Sequence, residues 1–380
     1  MKTRLAIVRG AFLNRYEMQF YEPLVKRYDI TAFSSLKPFH DVFSFPVIRL
    51  PSPVDLPVFP LKMQVLNRLF IDAHYLYGLE EYLRNFDIVH TAETYFYYTQ
   101  QCLDARDRGY VRRVVTTVLE TIPFNNESIP GRSAFKSRTR EEADHLIALT
   151  DKTRLSLIAE GADPGKISVI RHYVDTGLFA PEPAARRRVG GKSAATVILY
   201  CGRLENYKGV TDIIDAAVML LGSRSLAKYR ISFRFVGDGS LKQALLKSVG
   251  SLGLTNRVTV EKADYRQMPQ IYRQASIYVA PSKPTDTWEE QYNTTLLEAQ
   301  ASGLPIVTTI SGGIPENVGD AAVLIPPGDP AALTRALTGF VKDPYLRERY
   351  GRRARKRAVA VHDISIGAGL LDCLYRKLLS

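Results

Sequence analysis

Two glutamates eight positions apart, Glu290 and Glu298, frame the stretch "WEEQYNTTLLEAQASGLP" (Trp288 to Pro305), with Asn293, Thr294 and Thr295 between them. Ionised carboxylates accept hydrogen bonds and repel phosphate, so such a pair suits the hydroxyls of sugar rings. Asn293 reads as an N-cap and Gly303 followed by Pro305 as a stop, which predicts a helix from about Thr294 to Ser302. The amides of Thr294, Thr295 and Leu296 then have no intrahelical acceptor and lie at the positive end of the helix, ready for a phosphate. Helical side chains lean toward the amino terminus, so Glu298 reaches back to that end; Glu290 lies in the preceding loop, on the other side. An ordinary helix start uses the same residue types, and only partners elsewhere in the chain separate the two readings.

Such partners exist. In "VILYCGRLENYKGV" a strand running to Tyr200 opens into a loop with Gly202, Arg203, Lys208 and Gly209, ahead of a helix beginning near Val210. Two cations at a strand end beside a helix amino terminus make a clamp for a diphosphate. The spacing is not that of a Walker loop, and the Gly-rich turn from Gly237 to Ser240 in "FRFVGDGSLKQAL" lacks the dinucleotide fingerprint. Two polyol-binding carboxylates around a phosphate-binding helix end describe a nucleotide-sugar pocket. Trp288, the only tryptophan, is either a platform for a sugar face or a packing residue.

These motifs resemble the retaining GT-B glycosyltransferases of family 4. Glu290 to Glu298 looks like that family's E-x7-E motif, continued by "LLEAQASGLPIVTTISGGIPE". "GRLENYKG" is similar to its G-R-L-x-x-x-K-G element, "VGDGSL" to V-G-D-G-x-L, and "VDTGLFAP" to the segment ending its first domain. The likeness covers nearly all of residues 190–380; over the first half it rests on "FDIVHTAE" and "EEADHLIALT". It implies that Arg203 and Lys208 hold the diphosphate and stabilise the departing nucleoside diphosphate, that Glu298 holds the ribose, and that Glu290 contacts the donor sugar. Arg203, Lys208 and Glu290 are then the catalytic set, and Asn293, Thr294, Thr295, Leu296 and Gly237 join Glu298 in binding the donor. Retention without a protein nucleophile is implied, with leaving-group stabilisation carrying the catalysis. No Asp-x-Asp occurs in the chain, in keeping with a site that uses neither metal nor cofactor.

Two departures stand out. Gln291 and Asn293 occupy positions where members commonly have glycine; asparagine tolerates the left-handed conformation better than most residues. Leu119, in "VVTTVLETIPF", stands where many members carry a histidine that contacts the donor sugar, and neighbouring Glu120 is the candidate to inherit its role. His90 and Glu93, from "FDIVHTAE", are expected to face the ligand cleft, and with Gly10 and Glu120 they make up the acceptor side. A lone histidine at a strand end is nonetheless more often structural.

Short β-rich runs position these residues: "LAIV" at Leu5, "YDITAF" at Tyr28, "FPVIRL" at Phe45, "FDIVH" at Phe86, "RRVVTTVL" at Arg112, "HLIALT" at His145 and "ISVI" at Ile167. Helical patterns between them imply a parallel sheet covered by helices. Leu66, Leu69, Phe70, Ala73, Leu76 and Tyr77 mark one face of a long helix between Leu61 and Arg84. The alternation lapses over residues 179–194, "FAPEPAARRRVGGKSA", and restarts with "TVILYCG", "YRISFRFVG", "RVTVEKA", "SIYVAPS", "PIVTTI" and "AVLIPPGD". The closing "DISIGAGLLDCLYRKLLS" offers Ile364, Ile366, Leu370, Leu371, Leu374 and Leu378 for burial. The expected fold is α/β, two Rossmann-like doubly wound domains facing a cleft in the GT-B arrangement. An acceptor-side domain occupies 1–178, a linker 179–194, a nucleotide-sugar domain 195–362, and a terminal helix, 363–380, returns toward the first domain.

At 380 residues the chain exceeds one core, and 46% hydrophobic with 24% charged residues is ordinary for a globular protein. Three scattered cysteines suit a reducing compartment. The apolar run in "MKTRLAIVRG" is too short for a signal peptide and no run approaches a membrane span, so the expected location is cytoplasmic, with the inner membrane face as a peripheral alternative. The net charge of +12 is concentrated in the second half, notably "RERYGRRARKRA" from Arg347. A solvated helix face is the simplest account; an anionic membrane surface is the partner it would otherwise meet. Nucleic acid is disfavoured, because no stacking aromatics interleave with these arginines.

The expected activity is transfer of a hexosyl group from a nucleotide diphosphate sugar to a hydroxyl of a glycan, a lipid-linked glycan or a small molecule. Two alternatives remain. A sugar-nucleotide epimerase shares the architecture, although "GRLENYKG" paired with E-x7-E speaks against it. A non-catalytic nucleotide or glycan binder is kept open by the missing histidine.

Overall fold

The computed structural model describes residues 2–182 and 195–380; most of the expected linker, 183–194, lies outside them. The chain forms two units, Met1–Tyr173 with Ile364–Ser380, and Val174–Asp363. The first boundary thus falls ahead of the expected residue 178. Phe179, expected to open the linker, is fully buried in the second unit, its ring 5.8 Å from that of Tyr272.

In the first unit seven strands form a wholly parallel sheet: β1 (Thr3–Val8), β2 (Tyr28–Ser34), β3 (Val47–Arg49), β4 (Phe86–Ala92), β5 (Val111–Val118), β6 (His145–Ala148) and β7 (Ile167–Val169), in the order β3-β2-β1-β4-β5-β6-β7. The period of two sends Leu5 and Ile7 into the core on one face and Ala6 and Val8 into the core on the other. The strand order reverses between β1 and β4, and open α/β sheets bind ligands beyond the carboxyl ends of strands at such a switch point.

The last helix, Ile364–Leu379, is part of this unit. Ala368, Leu371, Leu374 and Tyr375 enter the cluster of Leu5, Ile7 and Tyr21, whereas Leu370, expected inside, is exposed. Tyr28 donates to Asp372 Oδ1 at 3.0 Å, and Arg27 pairs with the same carboxylate, which sets the helix rotation. Leu371→Ala should destabilise the first unit by about 2–5 kcal/mol, read as a lower denaturation midpoint with an unchanged slope.

The long helix expected between Leu61 and Arg84 is broken into Lys62–Phe70 and Leu79–Tyr82. Ile71 turns the chain at φ 62°, and Asp72 is buried immediately after it. The Asp72 carboxylate accepts from the His74 amide (3.2 Å), the Tyr97 amide (3.0 Å) and Arg132 (3.1 Å), and it lies 3.0 Å from His74 Nδ1. Asp side chains compete with the helix ladder in this way, and the apolar periodicity did not register that competition.

The second unit has a six-stranded parallel sheet: β8 (Thr196–Cys201), β9 (Ile231–Val236), β10 (Val258–Glu261), β11 (Ile277–Ala280), β12 (Ile306–Thr309) and β13 (Val323–Ile325), ordered β10-β9-β8-β11-β12-β13. Its core joins Ile198, Phe233 and Val279 of the sheet to Ile213, Leu337 and Phe340 of covering helices. Here the order reverses between β8 and β11, the two strands that feed the "GRLENYKG" loop and the E-x7-E segment. No helix among the described residues is long and apolar enough to cross a membrane.

Candidate active site

Two glycines let the strand ends of the second unit close on one another. A Cβ at Gly237, after β9, would lie 1.9 Å from the Gly202 carbonyl oxygen after β8. Gly209 has φ 72°, and a Cβ there would lie 2.0 Å from the Pro281 carbonyl oxygen after β11. No other residue type fits either place without moving backbone. Glu205 accepts from the Ser240 amide at 2.8 Å, and the Lys283 amide donates to the Tyr207 carbonyl at 2.8 Å, so the loops after β8, β9 and β11 are tied together.

On this frame Lys208 and Glu290 meet. Lys208 Nζ lies 2.7 and 3.0 Å from the two Glu290 oxygens, with both side chains largely buried. Glu290 also accepts from the Ser282 hydroxyl at 2.7 Å and from Asn293 Nδ2 at 3.4 Å. The Lys208 ammonium sits 4.7 Å from the Trp288 ring centre, Trp288 packs on Tyr207 at 4.4 Å, and the exposed Arg203 guanidinium lies 5.4 Å from the Tyr207 ring. The three residues chosen as catalytic therefore share one neighbourhood, with an aromatic pair linking Arg203 to the ion pair.

The Glu290 loop is fixed from behind. Its carbonyl accepts from the Gly313 amide at 2.7 Å, and a Cβ at Gly312 would lie 2.0 Å from that oxygen. The helix Thr294–Ala301 begins after Asn293, which has φ 55° and ψ 85°, the region that glycine prefers. Asn293 does not cap the helix as expected. Its Oδ1 accepts instead from the Thr295 hydroxyl at 2.6 Å, because a residue with positive φ turns its side chain away from the first-turn amides. The Leu296 amide also departs from expectation, donating to the Asn293 carbonyl at 3.1 Å. Thr294 and Thr295 keep the first-turn amides without an intrahelical acceptor.

Glu298 is buried one turn along that helix. Its oxygens accept from Tyr265 and Tyr272, both at 2.8 Å, two partners on the Tyr265–Gln267 turn and the Met268–Gln274 helix that no local sequence signal marked. Burial outweighs these two bonds and pushes its pKa up to about 7.

In the first unit the expected acceptor-side residues divide. Gly10, after β1, has φ 51° against the Tyr98 ring. His90 does not face a ligand surface: it is buried in β4, Nδ1 lying 2.6 Å from the Tyr375 hydroxyl and Nε2 2.6 Å from Thr117 Oγ1, and burial holds it neutral. Glu120 is occupied by its own loop, accepting from the Thr121 and Ile122 amides at 3.0 Å and from Asn125 at 2.7 Å. Glu93, just beyond β4, differs: it has φ 60°, one oxygen takes the Leu119 amide at 3.0 Å, and the buried Oε2 has no partner among the described residues. Strained backbone and an unmatched buried polar atom concentrate at functional positions.

Burial, with Glu120 nearby, pushes the Glu93 pKa from about 4.5 to about 8. A carboxyl raised on folding contributes stability that is complete below pH 4.5 and is lost as pH rises through about 8. Glu93→Gln should therefore raise the melting temperature above pH 8 relative to the parent chain, with the gap closing toward pH 5. A constant gap across that range would remove the titration argument.

The Asp72, His74 and Arg132 network also lies beside this switch point, His74 packed 4.9 Å from the Phe12 ring and 4.7 Å from the Phe96 ring. The triplet Asp72-Ala73-His74 is its local trace in the sequence, hidden inside the expected helix. No group of three or more His, Cys, Asp or Glu side chains among the described residues is arranged to hold a metal ion.

Two doubly wound parallel units, the second with a cationic loop opposite a glutamate-flanked helix start, define a GT-B architecture. The likeness extends over the whole chain: sucrose-phosphate synthase from Thermosynechococcus elongatus superposes with a TM-score of 0.77 at 20% identity over 99% of each chain. Anabaena HepE in complex with UDP gives 0.76 at 17% identity, covering 99% of this chain and 100% of the other. The chain belongs to the family described as Glycosyl transferases group 1, which matches residues 167–357. A D-inositol 3-phosphate glycosyltransferase from Kribbella flavida is 30% identical over 293 residues, 72% of this chain and 67% of that one. Against other curated relatives the match spans about half of their length, as little as 48%.

Proposed function

We propose that this chain is a retaining, metal-independent hexosyltransferase of the family-4 type, moving a hexosyl group from a nucleotide diphosphate sugar to a hydroxyl acceptor. The observation that carries the reading is the Lys208–Glu290 pair beside Arg203, next to the first-turn amides of Thr294 and Thr295. In this reading the diphosphate draws Lys208 and Arg203, which offset the charge that grows on the departing nucleoside diphosphate. Glu290, released from Lys208, accepts from the donor-sugar hydroxyls. Glu298 has a further lone pair on each oxygen for the ribose hydroxyls. Glu93 serves the acceptor side in place of His90 and Glu120, since its Oε2 has no partner among the described residues while both His90 ring nitrogens and both Glu120 oxygens are taken up. UDP in a GT-B neighbour of this fold supports a uridine donor as the first to try.

The test is a panel of labelled UDP-, GDP- and ADP-hexoses, with and without chelator, with acceptors drawn from inositol phosphates, free sugars and lipid-linked glycans. Transfer or slow donor hydrolysis, insensitive to chelator, with an axial or equatorial anomer matching that of the donor, is the expected result. Inversion at the anomeric carbon would remove the mechanism, carbon-2 epimerisation would favour an epimerase, and binding without turnover would favour a non-catalytic protein.

A further inference from the structure

The helix Lys62–Phe70 of the first unit holds most of its apolar side chains away from the core. Of its nine residues only Leu66 is buried. Two of its polar side chains are held against the chain, Lys62 Nζ donating to the Val54 carbonyl at 2.7 Å and Asn67 Oδ1 accepting from the Ala73 amide at 3.1 Å, whereas Gln64 and Arg68 are exposed. Met63, Val65 and Leu69 turn out, Leu69 being 71% exposed, and the approach to the helix carries Leu61 at 68% and Val58 at 93%. Every residue from Leu56 to Leu61 is exposed. A helix facing only water keeps such side chains covered, and contiguous apolar surface of this kind marks a partner.

The charges around it select the partner. Leu56–Phe70 contains no acid and two bases, Lys62 and Arg68, and Arg68 is exposed. Asp55 is taken up by the amides of Leu36, Lys37 and Ser52, which also brings the exposed Lys37 to the edge of the patch. Apolar side chains held out of the fold and rimmed by cations match a bilayer surface, aliphatic tails below and anionic headgroups around.

We propose that the segment Leu56–Leu69 is a membrane-docking surface that seats the first unit on anionic bilayers. Its aliphatic side chains enter the headgroup boundary while Lys37 and Arg68 meet lipid phosphates. This inference stands apart from the glycosyl-transfer reading, since docking needs no residue of the second unit.

The experiment is flotation of the full chain with vesicles of phosphatidylcholine alone and of phosphatidylcholine with phosphatidylglycerol, comparing the parent with Leu61→Glu/Leu69→Glu and with Lys37→Ser/Arg68→Ser. Both pairs are exposed, so circular dichroism and UDP binding should match the parent and exclude misfolding. The expected result is flotation on the anionic vesicles, reduced about tenfold or more by the glutamate pair. The serine pair should reduce it on anionic vesicles only, to the level seen with phosphatidylcholine. Absence of flotation by the parent, or equal flotation by the glutamate pair, overturns the proposal. So does a parent that sediments as a dimer without vesicles and becomes a monomer in the glutamate pair, which would assign the surface to a second copy. Loss of UDP binding in the parent itself would count against the donor-site reading and leave vesicle docking standing.

Discussion

Lys208→Ala is expected to lower turnover of a nucleotide-sugar donor by roughly 10²–10³, with a much smaller change in donor affinity, because charge on the leaving diphosphate is greatest in the transition state. A second effect should accompany it. Glu290 is buried and among the described residues would keep only Ser282 and Asn293 as side-chain partners of its carboxylate, and removing one member of such a pair costs about 3–5 kcal/mol. Arg203→Ala separates the two effects, since the Arg203 side chain is exposed and lies against Tyr207 rather than against a buried carboxylate. It should slow turnover comparably and leave the melting temperature unchanged. Undiminished transfer in both variants would take the clamp out of the mechanism.

Glu298 carries the second large effect. Held between Tyr265 and Tyr272 with its pKa pushed up to about 7, it changes charge within the range of ordinary assays. If the ionised form binds the ribose hydroxyls, donor affinity should be constant above about pH 8 and fall toward tenfold per unit well below pH 7. Glu298→Gln should weaken binding by about 10–100-fold at pH 8, the worth of one or two hydrogen bonds to a charged group, and should flatten the profile. Titration calorimetry with UDP at several pH values reads both. A Gln variant that binds as the parent does, with the same profile, would make Glu298 a packing residue.

The local geometry of the second unit's candidate site was largely legible because its signals are local. The Gly-rich loops, the helix from Thr294 and the spacing of its two glutamates need only neighbouring residues to be recognised, and the helix ends at Ala301, close to the expected Ser302. The tolerance of asparagine for a glycine-like conformation is an intrinsic backbone preference, and φ at Asn293 is 55°, although the cap expected of its side chain is not made. What escaped depended on distant partners. His90 is fixed by Tyr375, 285 positions away, and no window on β4 contains that information. Tyr265 and Tyr272 reach Glu298 from separate elements 33 and 26 positions earlier. The break after Phe70 escaped for a related reason: Asp72 looks like a tolerable polar residue in a helix until Tyr97 and Arg132 supply its hydrogen bonds.

The order of the units along the chain bears on how the protein is made. The second unit, Val174–Asp363, interrupts the first, whose last helix is Ile364–Leu379. During synthesis from the amino terminus, the second unit can therefore complete its core while β1 and β4 still wait for Leu371 and Tyr375. Until that helix emerges, His90 lacks the Tyr375 hydroxyl and part of one face of the first sheet lies open. A nascent chain that has emerged from the ribosome as far as residue 363 would carry a finished second unit and an unfinished first one.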